Sequence, residues 1–422
     1  MTTLLLIGLV LLLLVLRQSL LVVLIAVAAY VHMVWGRGQL DYIIEDMWVA
    51  LDKEVILSIP MFILCGAIMT KGSTAKRLIR IMASVTRVLP GGLGVACVLS
   101  CAVFAAISGS SIVTMLAIGT VMYPAMRAAN YDNKFSLGAI MSGGTLGIII
   151  PPSIPMIIYG LVTETSVTDL FKAGVGPGLL LTFLLVVYAI WFNRDKPTER
   201  FELAEFVTAV REGIWAAMMP VILLGGIYSG FFTATEAAAV ALGYAMLIEI
   251  FIHRELKFRA FYDVVLETSK LGGSLFPVLA VALSLNIILI EHRVPSHMVE
   301  WVQGYITSPM MFMLLVNLLL LAVGCLMTTG EAILVLAPIL APMAASYGYD
   351  KVVFGLIMIL NLEIGFLTPP VGLNLIVAMS AFKQPFGLLC RAAVPFIGIM
   401  LFGLALVVWQ PWIGMYWVNG KF

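Results

Sequence analysis

The residues of this 422-residue chain best placed to bind a solute are short polar islands in long apolar runs. Two of them read as tips: Ile107-Ser108-Gly109-Ser110-Ser111 and Met327-Thr328-Thr329-Gly330-Glu331. Two more read as breaks: Gly147-Ile148-Ile149-Ile150-Pro151-Pro152 and Gly365-Phe366-Leu367-Thr368-Pro369-Pro370. A proline inside a helix removes a backbone donor and clashes with an earlier carbonyl, so each Pro-Pro pair leaves carbonyls without partners. Such carbonyls beside Ser and Thr hydroxyls form an uncharged, all-oxygen cage suited to a hard cation such as Na⁺. The half-helix N-termini next to them favour an anion. Binding, not bond making, is the chemistry this implies. An intramembrane enzyme would need a Ser/His or Glu/His pair at membrane depth, yet His32, His253, His292 and His297 all fall near predicted span ends.

The elements that must hold these islands are membrane helices. Hydrophobic residues make up 62% of the chain and charged residues 11%, against roughly 25% charged in a soluble domain. The apolar residues come in blocks such as 4–16, 18–35, 179–192 and 311–327, and a span needs about 20 such residues. The fold expected is an all-α polytopic membrane protein with about ten transmembrane helices and two re-entrant hairpins. The arms flanking each tip, residues 91–106 with 112–125 and 311–326 with 332–343, are too short to cross. Their tips end in mid-membrane, where they must face protein or a water-filled cavity.

An offset of 218 residues relates the two sets of islands. It carries Pro124 onto Pro342, Tyr131-Asp132 onto Tyr349-Asp350, Gly147 onto Gly365, Pro151-Pro152 onto Pro369-Pro370, and Pro177 onto Pro395, without a gap. Hydroxyls and glycines in membrane helices often serve only close packing, and a lone Pro-Pro is only a kink. The same tip-then-break order at one offset argues against both bland readings. Each unit contains an odd number of passes, so the two copies are expected to be inverted relative to each other. We expect a first repeat over residues 1–192 with a hairpin at 91–127 and a broken helix at 134–160. A cytoplasmic linker at 193–214 follows, then a second repeat over 215–422 with a hairpin at 309–346 and a broken helix at 351–380.

Orientation follows from charge. Of the 24 Lys and Arg, 18 fall on one side of the expected topology, and the positive-inside rule makes that side cytoplasmic and both termini external. The basic stretches 71–87 and 254–270 are expected to lie as amphipathic elements on that face. Residues 1–16 lack a basic n-region and a cleavage site and read as a retained span. The five cysteines lie in apolar segments without CxxC pairs and read as small buried hydrophobes. Ionisable residues inside spans are costly. Glu331 and Glu363 are the best placed either to act or to brace the second hairpin, and Glu236 either contributes or faces the interface.

At these residues the chain resembles a known family, the large membrane subunit of the tripartite ATP-independent periplasmic (TRAP) transporters, DctM-like. The stretches that carry the resemblance are Ala106 to Ser111, Gly143-Gly144-Thr145 through Pro151-Pro152-Ser153, Thr233-Ala234-Thr235-Glu236-Ala237-Ala238-Ala239, Asn361-Leu362-Glu363-Ile364-Gly365 and Thr368-Pro369-Pro370-Val371-Gly372-Leu373-Asn374. It covers roughly residues 52–395. The resemblance implies an elevator-type fold and Na⁺-coupled symport of an organic acid, a dicarboxylate or related carboxylate, across the bacterial inner membrane. It implies two or more Na⁺ ions, a separate small four-helix membrane subunit, a periplasmic substrate-binding protein, membrane lipid around the spans and no nucleic acid. A self-sufficient symporter of the same fold, needing neither partner, is the alternative.

Carried onto this sequence, one Na⁺ site would involve Ser108, Ser110, Ser111 and backbone at Gly147 and Pro151. The other would involve Thr328, Thr329 and backbone at Gly365, Thr368 and Pro369. Substrate would lie between the tips near Ser111, Ser153, Gly330 and Asn374. The chain departs from the family pattern at residues 13–20, which lack a Gly-x-Pro turn, and at Thr328, where many members carry an acidic residue. No Arg stands at membrane depth to clamp a carboxylate, which leaves hydroxyls, amides and helix ends to line the pocket.

Overall fold

The computed structural model describes residues 2–36, 38 and 40–419, and among these every regular element is helical. Among the described residues, nine helical spans are long and apolar enough to cross a bilayer, or ten if the bent pair Val294–Tyr305 and Pro309–Gly324 counts as one. The termini Met1 and Phe422, placed outside by the charge argument, lie outside the described residues.

The element order runs twice. The first run comprises helices Thr2–Val15 and Leu20–Val34, then Asp41–Leu51 and Ser58–Lys71 joined by a 3-10 turn. After them come Thr74–Thr86, the hairpin Gly92–Ser108 with Ser111–Ala128, the broken span Asn133–Ile149 with Ile154–Thr163, and Val167–Phe192. The second comprises Leu203–Tyr228, Ala234–Met246 continued by a π-helical turn to Ile252, and Phe258–Glu291. It continues with Val294–Tyr305, the hairpin Pro309–Gly324 with Thr329–Ser346, the broken span Lys351–Gly365 with Leu373–Phe382, and Phe386–Trp409. A short helix, Trp412–Asn419, follows.

Helix starts obey local chemistry at matching places in both runs. The Asp132 side chain accepts from Phe135 N at 2.9 Å, and the Asp350 side chain from Val352 N at 2.7 Å, each satisfying donors a first turn leaves open. Asn133–Ile149 ends two residues before Pro151 and Lys351–Gly365 four residues before Pro369, and both Pro-Pro bonds are cis. Gly92–Ser108 and the first halves of the broken spans, Asn133–Ile149 and Lys351–Gly365, lie at the centre of the molecule, whereas Pro309–Gly324 is largely exposed. Asn133–Thr163 is almost wholly buried, unlike the outer spans.

Two details differ from the sequence reading. Residues 254–270 are not a separate amphipathic element. They begin the 34-residue helix Phe258–Glu291, and the counterpart of Thr74–Thr86 is Val294–Tyr305, started by Pro295 after Arg293 turns the chain at φ 53°. The helix Leu203–Tyr228 also begins inside the stretch expected as linker.

The Thr74–Thr86 helix is tied down at both ends. The buried Glu249 carboxylate, from the other half of the chain, accepts from Ser73 N and Thr74 N at 3.2 Å each and from Thr74 Oγ1 at 2.5 Å. A carboxylate there also suits the positive end of the helix dipole. Burial lowers the adjoining His253 imidazole below its ordinary value. Further along, Arg80 pairs with Glu205 at 2.9 Å and Glu212 at 2.5 Å, and Arg87 pairs with Glu199 and Glu202. These ion pairs join the connection between the repeats to the helix.

Candidate functional site

The first tip is built by a turn that only glycine adopts freely. Gly92–Ser108 ends at Gly109 with φ 58°, and Ser110, extended, starts Ser111–Ala128. The turn gathers oxygen. Ser108 Oγ lies 2.6 Å from Thr114 Oγ1 and 3.3 Å from the Ser110 carbonyl oxygen. Gly147, in the broken span, packs directly on them: a Cβ there would stand 2.5 Å from the Ser110 carbonyl oxygen and 2.6 Å from Thr114 Oγ1. The break closes on the same turn, Ile154 N donating to the Gly109 carbonyl at 3.4 Å. Ser108, Ser110 and Gly147 are thus brought together, while the Pro151 ring lies against Gly174 on the neighbouring span. Thr114, absent from the sequence-derived set, completes the cluster. Its only signal was a hydroxyl one turn beyond Ser111.

The second tip has the same plan and different chemistry. Thr328 and Glu331 form a capping box: the Thr328 hydroxyl accepts from Glu331 N at 3.4 Å and the Glu331 carboxylate from Thr328 N at 3.2 Å. Glu331 therefore braces its own helix. Gly365 packs against the backbone of Gly324 and Cys325, and Gly372 N donates to the Cys325 carbonyl at 3.1 Å. The Thr368 hydroxyl donates to the Ile364 carbonyl at 2.9 Å. Pro369 and Pro370 are exposed, whereas Pro151 and Pro152 are buried. The offset of 218 places Leu326 and Ala332 where the first tip has Ser108 and Thr114, so this turn offers fewer hydroxyls. A cavity of about 170 Å³ lies beside it, lined by Thr328, Glu331, Val371 and Leu373 among others.

Each tip also leans on the second half of the other repeat's broken span. Asn374 Nδ2 donates to Ser111 Oγ at 2.7 Å, and a Cβ on Gly330 would touch Ile158 Cδ1 at 3.4 Å. Ser111 and Asn374 meet directly; no hydrogen bond joins Ser153 or Gly330 to them. Several buried oxygens nearby have no partner, Ser153 Oγ, Thr329 Oγ1 and Asn374 Oδ1, and the Ser111 hydroxyl faces the buried Glu363 carboxyl. Leaving such a group unpaired in a buried position costs roughly 1–3 kcal/mol.

Glu236, by contrast, is spent locally. It completes a capping box with Thr233, accepting from Thr233 N at 2.8 Å.

The fold resembles that of the YdaH transporter of Alcanivorax borkumensis, with a TM-score of 0.64 at 14% identity over 90% of this chain and 88% of that one. In sequence the chain is 41% identical over 375 residues to the C4-dicarboxylate TRAP transporter large permease protein DctM of Pseudomonas aeruginosa, covering 86% of this chain and 88% of that protein. It is 37% identical over 388 residues to the isethionate TRAP transporter permease protein DctMQ of Oleidesulfovibrio alaskensis, covering 91% of this chain and 61% of that longer protein. The family model of the tripartite ATP-independent periplasmic transporter DctM component matches residues 6–413. Two hairpin tips closed on two broken spans, in a polytopic chain with that match along nearly its whole length, make this a transporter and not an enzyme, and the chain belongs to the DctM component family of the tripartite ATP-independent periplasmic transporters.

Proposed function

We propose that this chain is the large permease of a Na⁺-coupled symporter that imports an organic acid, a dicarboxylate or related carboxylate, across a bacterial inner membrane. It works with a small four-helix membrane subunit and a periplasmic substrate-binding protein, both termini facing the periplasm. The observation that carries the reading is the first tip, where Ser108 Oγ, Thr114 Oγ1 and the Ser110 carbonyl converge against Gly147. Neutral hydroxyl and carbonyl oxygens with no acidic cluster, none being found among the described residues, suit a monovalent hard cation better than a transition metal. Two or more Na⁺ ions are co-transported. The first binds at Ser108, Ser110 and the backbone near Gly147 and Pro151, the second at Thr328, Thr329, Gly365, Thr368 and Pro369.

Substrate binds between the tips, where Ser111, Ser153, Gly330 and Asn374 present hydroxyl, amide and backbone groups. A monovalent cation at each tip supplies the positive charge that an anion needs where no Arg reaches. The two hairpins and two broken spans move together as an elevator against the outer helices. A cavity of about 620 Å³ separates the two bodies, lined on one side by Gly160, Glu164 and Ser166 and on the other by Lys53, Thr233 and Thr235. That cleft is where a loaded binding protein would deliver its solute.

The test is uptake of radiolabelled C4-dicarboxylates, sulfonates and zwitterionic carboxylates into proteoliposomes, with and without an inward Na⁺ gradient. This chain is used alone and then with its small subunit and binding protein. Uptake requiring Na⁺ and all three components supports the reading and identifies the solute. Uptake by this chain alone would replace it with a self-sufficient symporter.

A further inference from the structure

The outer arm of the second hairpin has little to hold it in place. Pro309–Gly324 turns much of its apolar surface outward, Met310, Leu314 and Leu318 included, and packs along Lys351–Gly365 while hardly touching its own return arm, Thr329–Ser346. In the first hairpin the two arms pack on each other as well as on Asn133–Ile149. At the tip end the outer arm meets the broken span backbone to backbone. A Cβ on Gly365 would stand 2.6 Å from Gly324 Cα and 2.8 Å from Cys325 N, and one on Gly324 would stand 2.8 Å from the Leu362 carbonyl oxygen. Lipid tails are as apolar as leucine, so burial gives such an arm little grip on the span. Whatever fixes the arm there also fixes where Thr328 and Thr329, which follow it, stand relative to Gly365.

One polar contact supplies the missing grip. Asn361 Nδ2, on the buried broken span, donates to Asn317 Oδ1 at 2.6 Å, and among the described residues this is the only hydrogen bond between the two helices. Each amide is also held to its own helix. Asn361 Nδ2 donates to the Ile357 carbonyl at 2.7 Å, and Asn317 Nδ2 to the Met313 carbonyl at 2.6 Å. The pair is costly as well as directional, because Asn361 Oδ1 is buried without a partner. Close packing does not call for it, since the other repeat does without it. The offset of 218 places Leu99 opposite Asn317 and Gly143 opposite Asn361, in a hairpin whose tip is gathered by the Ser108 and Thr114 hydroxyls instead. A buried asparagine that fixes the register of two helices at a cost in stability is a device coiled coils also use.

We propose that Asn317 and Asn361 are positioning residues for the second cation site. Their hydrogen bond sets the register of the outer arm on the broken span, and so holds Thr328 and Thr329 against the backbone at Gly365 and Thr368. Asn317 lies about two helical turns before Gly324, and Asn361 about one turn before Gly365, so the amides act on the site through the two helices and not as ligands. The first repeat reaches the same end with hydroxyls at the tip itself, and the second, with Leu326 and Ala332 in those places, anchors its hairpin further back. The inference rests on the two-cation reading above.

The test is initial uptake by the complete transporter in proteoliposomes as a function of Na⁺, with the unfolding temperature of each purified variant measured alongside. Asn317→Leu keeps the branched shape on an arm already rich in leucine and removes the acceptor for Asn361. Its half-maximal Na⁺ concentration should rise about threefold to tenfold, the range that hydrogen bonds between membrane helices supply, while the KM for solute at saturating Na⁺ stays as in wild type. Asn317→Gln, which restores an acceptor, should bring the Na⁺ requirement back toward wild type. Combining Asn317→Leu with Asn361→Leu removes both partners and leaves no orphaned donor. A merely structural tie predicts that stability and Na⁺ dependence then recover together; the positioning role predicts recovered stability with the Na⁺ requirement still raised. Asn317→Leu with wild-type Na⁺ dependence overturns the inference, and so does a double variant in which both properties recover. If the double variant does not fold, equal Na⁺ requirements in Asn317→Leu and Asn317→Gln overturn it. Wild-type uptake indifferent to Na⁺ sinks the symport reading and the inference together, whereas the other contrary results leave Na⁺-driven uptake by wild type intact.

Discussion

Gly147→Ala is the perturbation whose effect follows most directly from geometry. The added methyl carbon would stand 2.5 Å from the Ser110 carbonyl oxygen and 2.6 Å from Thr114 Oγ1, about an ångström inside ordinary contact. Ser110 is backbone held between two helices, so it cannot rotate away as a flexible side chain would. The tip must lift from the broken span, and overpacking of this kind costs about 1–3 kcal/mol. If that cost falls on the Na⁺-loaded form, the Na⁺ concentration for half-maximal uptake rises about fivefold to a hundredfold, each 1.4 kcal/mol being roughly a factor of ten. The assay is initial uptake by the complete transporter as a function of Na⁺. Gly243→Ala, where nothing lies within 4 Å of the new carbon, is the matched control and should behave as wild type. A Gly147→Ala transporter with unaltered Na⁺ dependence and normal thermal stability would refute the placement of a cation against this turn.

Other consequences can be read from the same contacts. Thr114→Val, which keeps shape and removes the hydroxyl facing Ser108 Oγ, should raise the Na⁺ requirement, measured in the same uptake series; Thr208→Val, at an exposed site, should not. Glu331→Ala breaks the second capping box and should lower thermal stability by about 0.5–2 kcal/mol, visible as a lower unfolding temperature of the purified protein. Gly176→Ala drives a methyl into the Ile413 carbonyl and should displace Trp412–Asn419, seen as faster proteolysis near residue 411. The His253 imidazole is held below its ordinary value by burial, so the unfolded chain takes up a proton more readily than the folded one. Its contribution to stability is therefore present above about pH 6.5 and lost as pH falls below it. A His253→Gln variant should show a flatter fall in unfolding temperature between pH 7 and pH 5.5.

Much of the architecture was legible because a bilayer imposes few solutions. Apolar runs of spanning length, and the matched positions of Tyr131-Asp132 with Tyr349-Asp350 and of the two Pro-Pro pairs, are features that sequence displays directly. What was missed depends on three-dimensional neighbours. Val294–Tyr305 has few basic residues, and charge marks the side of the membrane rather than the type of helix. Residues 254–270 drew the eye for the same reason and proved to be the start of a long helix. Thr114 looks like any threonine in an apolar helix until the turn folds Ser108 onto it. The repeat gave matched positions, but the two tips diverge through Leu326 and Ala332, which only a residue-by-residue superposition of the halves exposes. Glu363 was visible as a costly residue, yet the Ser111 hydroxyl that faces it comes from the other half of the chain, which is a fact of packing.

An elevator requires the two hairpins and the two broken spans to move as one body against the outer helices. Spin-label distances in the complete transporter measure this directly. One pair lies within that body, at the exposed Ala128 and Ala381, and a second runs from Ala381 to the exposed Phe258 on the outer helix. On adding Na⁺ and solute, the first distance should hold while the second redistributes between two populations. A first distance that changes while the second stays fixed would contradict an elevator and point to local gating of the hairpins instead.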